Sequence, residues 1–363
     1  GTGYSELLSV LAKNGSVEQS SVNQIEVDNQ ARLKLMSLAV NKTKYFATMS
    51  YLQTADITLE GETEYKPIGA EPSTTDYAFS GSYDGANHVV NFTRDNSAYT
   101  AGSYFGLFGY TYGADISNLA VHGVFYLTDT AQNVGAIVGY AKDTDLSNCI
   151  ANVYMGNGTT ATTKNVGGLV GTFEDTDEDL MENSITSSAN VETIYVNATN
   201  VGGLVGLVIT RANDMDEYDR LTRISRCFNV GQVGTKSASK VGGLVGREEL
   251  NGYNSSNNYV YSAIKDCYSA GNINTADTTI LSGTVGERQL PTSLSGYTVV
   301  SDNDGSMSYY TLRGTYGTNG SGKFMFPEVA NNEISALKIN ALQSKFGNLC
   351  TSSSSSGNSL ALT

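Results

Sequence analysis

The chain has 363 residues, 40% of them hydrophobic, which is enough for one large elongated domain or two ordinary ones. Its formal net charge of −14 makes nucleic acid and anionic membrane surfaces poor partners. No run of residues is apolar over the length needed to cross a bilayer, so we expect no transmembrane segment.

The first predicted element is an amphipathic helix from Asn29 to Val40. Its apolar positions are Leu33, Met36, Leu38, Ala39 and Val40, and Asp28 or Asn29 is a suitable N-cap. We interpret residues 1–45 as an N-terminal segment with a capping helix. A strand-like stretch, Tyr51–Leu59, follows, and residues 46–100 are interpreted as irregular opening coils.

A glycine-aliphatic phrase recurs six times between Tyr104 and Gly286. The copies are YFGLFG (104–109), VGAIVG (134–139), VGGLVG (starting at 166, 201 and 241) and LSGTVG (281–286). Subtracting successive closing glycines gives steps of 30, 32, 35, 40 and 40 residues. Repetition at this period predicts a solenoid, in which each unit buries its apolar surface against its neighbours.

Each phrase predicts a short strand that bends at its glycines. Valine favours extended backbone, and glycine in a helix interior costs about 1 kcal/mol. A glycine without Cβ also lets successive coils approach closely. The glycines expected to have this structural role are Gly106, Gly109, Gly139, Gly168, Gly171, Gly203, Gly206, Gly243 and Gly246.

A second phrase follows in each unit and predicts an apolar ladder inside a parallel β-helix. Its copies are Ile116–Leu119, Leu146–Cys149, Met181–Ser184, Ile224–Cys227 and Ile264–Cys267. Three cysteines share its last position, which predicts small buried hydrophobes. A disulfide between Cys227 and Cys267 is an alternative, and a metal site is a weaker one because no CxxC is present. Cys350 lies outside the array.

The periodicity decays after Gly286. A second amphipathic helix is predicted for residues 332–346, and we interpret residues 291–363 as a closing coil, capping helix and tail. The β-helix itself is assigned to residues 46–290. The fold class predicted is therefore all-β, a parallel β-helix with small helical caps near both ends.

These phrases resemble the GLUG motif of bacterial secreted adhesin-like proteins and of the non-catalytic repeats of IgA-peptidase-like surface proteins. The three VGGLVG copies match closely, and the resemblance covers about residues 27–290. It implies a right-handed β-helix at the bacterial cell surface or outside the cell, and it leaves a lipid anchor open. It does not imply catalysis, since the peptidases depend on a HEXXH zinc motif that this sequence lacks.

The variable part of each repeat predicts where a ligand binds. From the closing glycine to the second phrase the gaps are 7, 7, 10, 18 and 18 residues, whereas the rest of the unit spans 18, 20, 20, 17 and 17. Insertions in solenoids fall on one edge, often the binding edge. The candidate ligand-binding residues on these loops are Phe173, Glu174, Asp175, Asp177, Asp179, Asp214, Asp216, Tyr218, Asp219, Tyr253 and Tyr259.

Tyrosine beside carboxylates suits recognition of a glycan or a protein. Solvated loops that only keep the edge soluble are the alternative. Calcium also stays open for the acidic clusters, although neither has calcium-loop spacing; we assign no metal, no cofactor and no catalytic residue.

The leading hypothesis is a monomeric, non-enzymatic, adhesin-like protein that binds a host or microbial surface glycan or protein through the long-loop edge. The alternatives are a polysaccharide-processing enzyme, a lyase or glycoside hydrolase built on a β-helix, and a passive structural stalk.

Overall fold

The computed structural model describes residues 24–60, 65–92, 103–128, 131–156, 163–176, 183–214, 223–235, 237–265, 267–269, 273–275, 285–300, 313–316 and 321–325. Over this part of the chain the protein is predominantly β, with parallel sheets and little helix. The all-β prediction is confirmed at this level. The predicted helix at 332–346, and Cys350, lie outside the described residues.

Two helices lie near the start of the described residues. Helix α1 spans Gln30–Lys42 and helix α2 spans Lys44–Ala47; a 3-10 turn spans Thr292–Leu294. The Asn29 side chain accepts a hydrogen bond from the Arg32 N–H at 2.9 Å, which confirms the predicted N-cap. Leu33, Met36 and Val40 are buried in the main core, so α1 packs against the first strands.

The strands are short and numerous. In chain order they are β1 (Ile25–Val27), β2 (Ser50–Gln53), β3 (Ile57–Leu59), β4 (Ser82–Phe92), β5 (Tyr104–Phe105), β6 (Phe108–Tyr112), β7 (Asp115–Tyr126), β8 (Asn133–Val134), β9 (Val138–Lys142), β10 (Asp145–Gly156), β11 (Asn165–Gly167), β12 (Val170–Glu174), β13 (Ile185–Thr186), β14 (Ala189–Asn190), β15 (Ile194–Tyr195), β16 (Asn200–Gly202), β17 (Val205–Ile209), β18 (Asn213–Asp214), β19 (Ile224–Ser225), β20 (Phe228–Asn229), β21 (Lys240–Gly242), β22 (Val245–Glu249), β23 (Gly252–Asn254), β24 (Tyr259–Tyr261), β25 (Ile264–Lys265), β26 (Tyr268–Ser269), β27 (Ile273–Asn274), β28 (Val285–Gln289), β29 (Thr298–Val300), β30 (Arg313–Tyr316) and β31 (Ser321–Met325).

Three sheets contain the repeats. Sheet A runs β1-β2-β4-β7-β10-β13-β19-β25 and also contains β3, β14, β15, β20 and β26. Sheet B runs β6-β9-β12-β17-β22-β28, and sheet C runs β5-β8-β11-β16-β21. Every pairing within these three sheets is parallel across the described residues. Each of the first five repeats thus adds one strand to sheet C, one to sheet B and one or more to sheet A.

Each of the first five glycine-aliphatic phrases forms the corner between sheets C and B. In VGGLVG at position 166, the first residues belong to β11, the chain bends at Gly168 and Leu169, and Val170 starts β12. Because of this bend, Val166, Leu169 and Val170 are all fully buried, which a flat strand would not allow. The predicted bend at the glycine pair is confirmed.

Equivalent residues of successive repeats lie on one another. Val166 is in register with Val201, and Val201 with Val241. The Leu169 N–H donates to the Leu204 carbonyl at 2.9 Å, and the Leu204 N–H donates to the Leu244 carbonyl at 2.9 Å. The repeats therefore stack like on like, as the period predicted.

The predicted position of the second phrase is wrong in the third repeat. Ile116, Leu146, Ile185, Ile224 and Ile264 are successive partners in sheet A. The third copy is therefore Ile185–Ser188, and the prediction of Met181–Ser184 is wrong. Both segments begin with an apolar residue and end in serine, so the sequence pattern alone did not separate them. Ile185 fits because it is fully buried between Leu146 and Ile224.

The residue before the last position of this phrase takes a left-handed conformation. Its φ is +55° at Asn118, +52° at Asn148, +49° at Ser187 and +57° at Arg226. Asn tolerates this conformation best among residues with a Cβ. The kink returns the next residue, such as Cys149 or Cys227, to the core.

The cysteines lie where the pattern predicted. Cys149, Cys227 and Cys267 are buried in the main core, and none of the three forms a disulfide. Desolvation by burial raises the pKa of the Cys149 thiol to about 12, so this thiol stays protonated and unreactive at neutral pH. Among the described residues, no helix is both long enough and apolar enough to span a bilayer.

Candidate functional site

The loops that leave sheet B grow along the array. With the corrected third repeat, the distances from closing glycine to second phrase are 109 to 116, 139 to 146, 171 to 185, 206 to 224 and 246 to 264, or 7, 7, 14, 18 and 18 residues. From that phrase to the next Val/Leu start, the third unit now spans 16 residues, from 185 to 201. Growth is thus confined to one corner, as expected from the sequence.

The longest corner loops build a sheet of their own. This corner sheet contains β18, β23, β24 and β29 in that order. Strands β18 and β23 belong to successive repeats and pair in parallel, whereas β23 and β24 form an antiparallel hairpin. The described part of the long corner therefore contains paired strands.

A small separate core supports the corner sheet. Leu250, Val260 and Leu294 are buried together, and Tyr253 and Tyr297 pack against them. The two tyrosine rings meet edge to face, with their centroids 6.0 Å apart. Tyr253 is half-buried, so it contributes to packing as well as to surface. This cluster holds the corner sheet in one position relative to sheet B.

The exposed part of the corner sheet carries Asp214 and Tyr259. Asp214 accepts hydrogen bonds from the Ser255 N–H at 3.0 Å and the Ser255 hydroxyl at 2.5 Å, and these bonds lower the pKa of its carboxyl group. Tyr259 is 39% exposed at the end of the turn formed by residues 255–258. A carboxylate held by hydrogen bonds and an exposed tyrosine ring therefore lie on two strands of the corner sheet, β18 and β24, which β23 separates.

Two predicted binding residues are not at the surface. Phe173 is 1% exposed and belongs to the main core, because it alternates with outward residues on β12. Asp175 is 1% exposed and pairs with Arg223 at 2.5 Å and with the Asn183 side-chain amide at 3.1 Å. Their structural roles replace the surface role expected from the loop sequence.

Glu174 lies on the outer face of sheet B, away from the corner sheet. It is half-buried and accepts a hydrogen bond from the Tyr140 hydroxyl. The register places it beside Lys142, which in turn lies beside Tyr112. The structure thus places Glu174 on sheet B rather than on the corner sheet, beside a group of tyrosines.

The remaining predicted binding residues, Asp177, Asp179, Asp216, Tyr218 and Asp219, lie outside the described residues. Within the part of the chain that is described, no group of three or more His, Cys, Asp or Glu side chains is arranged to hold a metal ion. The two histidines have structural partners: His88 Nδ1 lies 3.1 Å from Asp56 Oδ1, and His122 Nδ1 lies 3.2 Å from Asn91 Oδ1.

No protein-family model matches the sequence, and no curated protein is detectably similar to it. One solved structure is similar over 87% of this chain and 95% of its own, at 16% identity and a TM-score of 0.45. It is the crystal structure of a "putative immunoglobulin A1 protease" from Bacteroides ovatus. A likeness at this level does not define an activity for this chain.

Proposed function

We propose that the chain is a right-handed parallel β-helix and a non-enzymatic, adhesin-like binding protein of the bacterial cell surface. Its corner sheet would contact a glycan or protein of a host or of another microbe. Three sheets of parallel, in-register repeats support the β-helix. A net charge of −14 and a β-rich fold are compatible with an extracellular location.

The observation that carries the binding role is the independent support of the corner sheet. A loop that served only solubility would not need a second buried cluster, and ordering backbone costs about 1–2 kcal/mol per residue. Here Leu250, Val260 and Leu294 support a sheet whose strands carry the exposed residues Tyr259 and Asp214. Side chains that ordered strands already hold in position lose little entropy on binding.

The experiment compares Tyr259→Ser and Asp214→Asn with the parent on a glycan array and on immobilised mucin and collagen. The matched control is Tyr45→Ser on helix α2, because Tyr45 is 46% exposed and lies in the first part of the fold. We expect each corner-sheet variant to weaken binding about tenfold, equivalent to about 1.4 kcal/mol, and the control to bind like the parent.

Equal binding by Tyr259→Ser, Asp214→Asn and the parent would remove the corner sheet as the binding surface. Turnover of a polysaccharide by the parent protein would contradict the non-enzymatic role. A thermal melt of each variant verifies that it is folded, so a loss of binding is attributable to the surface.

A further inference from the structure

A second surface, rich in tyrosine, lies on the outer face of sheet B, at the edge formed by strand β6. Four side chains form it, and we call them the tyrosine cluster: Tyr104, Tyr110, Tyr112 and Tyr140. Strand β6 lies three strand spacings, about 14 Å, from β17, the nearest strand of sheet B that leads into the corner sheet.

The alternation of the strands directs these tyrosines outward. Thr111 and Ala141 occupy the intervening inward positions and are buried, whereas Tyr112 is 46% exposed. Tyr110 is in register with Tyr140, and their rings are stacked at 4.9 Å with an interplanar angle of 3°. Tyr104 lies across the pair, perpendicular to both rings at 5.2 and 5.6 Å. None of the four belongs to the main core cluster, but Tyr110 is buried at 9% exposure, with the rings of Tyr104 and Tyr140 against it.

Charged groups border the aromatic rings. The Lys142 ammonium lies 5.1 Å from the centroid of the Tyr112 ring, and Glu174 accepts a hydrogen bond from the Tyr140 hydroxyl. On the other side, Glu71 is exposed and close enough to affect the ionisation of Tyr104. The border therefore combines carboxylate acceptors with an ammonium donor.

The phenols keep their protons. Burial, followed by the charge of Glu174, raises the pKa of Tyr110 to about 12. Burial and Glu174 also raise the pKa of Tyr140, and burial and Glu71 raise that of Tyr104. All three hydroxyls are therefore neutral donors and acceptors across the physiological pH range.

We propose that the tyrosine cluster, with Lys142 and Glu174, is a binding site for a neutral oligosaccharide. A sugar presents apolar C–H groups and several hydroxyls, which match aromatic carbon and a border of hydrogen-bonding groups. Two carboxylates with one ammonium give this surface a negative balance, and an acidic polysaccharide would be repelled by it. The same groups leave a neutral sugar with acceptors and donors for its hydroxyls.

The test measures binding of soluble β-glucan, mannan and galactan to the full chain by affinity electrophoresis and calorimetry. Polygalacturonate is the acidic probe, and chitosan oligosaccharide is the cationic probe. We expect binding to at least one neutral polymer, a loss of about tenfold or more in Tyr112→Ser and in Lys142→Met, and no binding to polygalacturonate. Tyr195→Ser on β15, which removes a 52% exposed tyrosine of sheet A, serves as the control and should bind like the parent.

Tyr112 is exposed, so its substitution tests the surface without removing core contacts. Tyr104→Ser should show the same loss of polymer binding, provided that a thermal melt shows the variant to be folded. No binding to any neutral polymer, equal binding by Tyr112→Ser and the parent, or a preference for polygalacturonate or chitosan would overturn the proposal. If Tyr259→Ser loses binding to the neutral polymer and Tyr112→Ser does not, the sugar binds at the corner sheet instead. If Tyr112→Ser loses this binding and Tyr259→Ser does not, the result supports the tyrosine cluster alone.

Discussion

The side chain of Asn229 occupies the space that a side chain at Gly203 would need. A Cβ atom at position 203 would lie 2.4 Å from Asn229 Cγ and 2.1 Å from the carbonyl oxygen of Gly243 in the next repeat. Asn229 cannot move aside freely, since it donates to the Gly231 carbonyl and to Ser269 Oγ and accepts from Asn190. The absence of a side chain at Gly203 therefore leaves room for the hydrogen-bonded side chains of Asn190, Asn229 and Ser269.

Gly203→Val should destabilise the protein by at least about 3 kcal/mol, because the added side chain meets backbone atoms that are fixed by sheet pairing. Urea unfolding monitored by circular dichroism measures the change. Gly296→Val is the control, since a Cβ there has no atom within 4 Å. If the two variants unfold at the same urea concentration, the close approach at Gly203 is not a constraint on the fold.

Arg226→Asn should stabilise the protein by about 0.5–1 kcal/mol. Arg226 is exposed and has a φ of +57°, in the conformation that Asn occupies at the equivalent positions Asn118 and Asn148. Asn adopts this conformation at lower cost than other residues with a Cβ. The neighbouring Ser225→Asn is the control; Ser225 lies in strand β19, where Asn is unfavourable. An unchanged or lower melting temperature for Arg226→Asn would refute the strain argument.

Asp175→Ala should cost about 3–5 kcal/mol, since it leaves Arg223 buried without the carboxylate that pairs with it at 2.5 Å. Asp214→Ala, on the exposed part of the corner sheet, should leave the melting temperature almost unchanged. Differential scanning calorimetry distinguishes the two outcomes. A mild effect of Asp175→Ala would mean that this buried pair does not hold the loop against sheet A.

Asp115→Asn should stabilise the protein at pH 7 but not at pH 3. Desolvation, and then the charge of Asp84, raise the pKa of Asp115 above its ordinary value of 3.8. The protonated form is thus favoured in the folded state, and the stability that it provides is lost as the pH rises through the folded pKa. Urea midpoints at both pH values measure the effect. A benefit that is larger in acid than at pH 7 would contradict the assigned direction.

Several features followed from local sequence alone. The period of the closing glycines, the helix after Asn29 and the buried column of Cys149, Cys227 and Cys267 required only spacing and residue type. Strands with the same sequence pattern bury the same positions when they stack, so repetition of the pattern predicts which residues are buried. The tyrosine cluster also had a sequence signal, because Tyr110 and Tyr140 each follow a closing glycine directly.

Other features could not be read from the sequence. Met181 and Ile185 fit the second phrase equally well, and only the sheet partners Leu146 and Ile224 select Ile185. Asp175 looked like part of an exposed acidic loop, but the fold places it against Arg223, 48 residues later in the chain. Repetition specifies which residues are equivalent, since each unit must bury the same face; it does not specify how an irregular corner loop folds. That was decided by contacts between distant residues, which paired Asp175 with Arg223 and packed the corner sheet on a small core of its own.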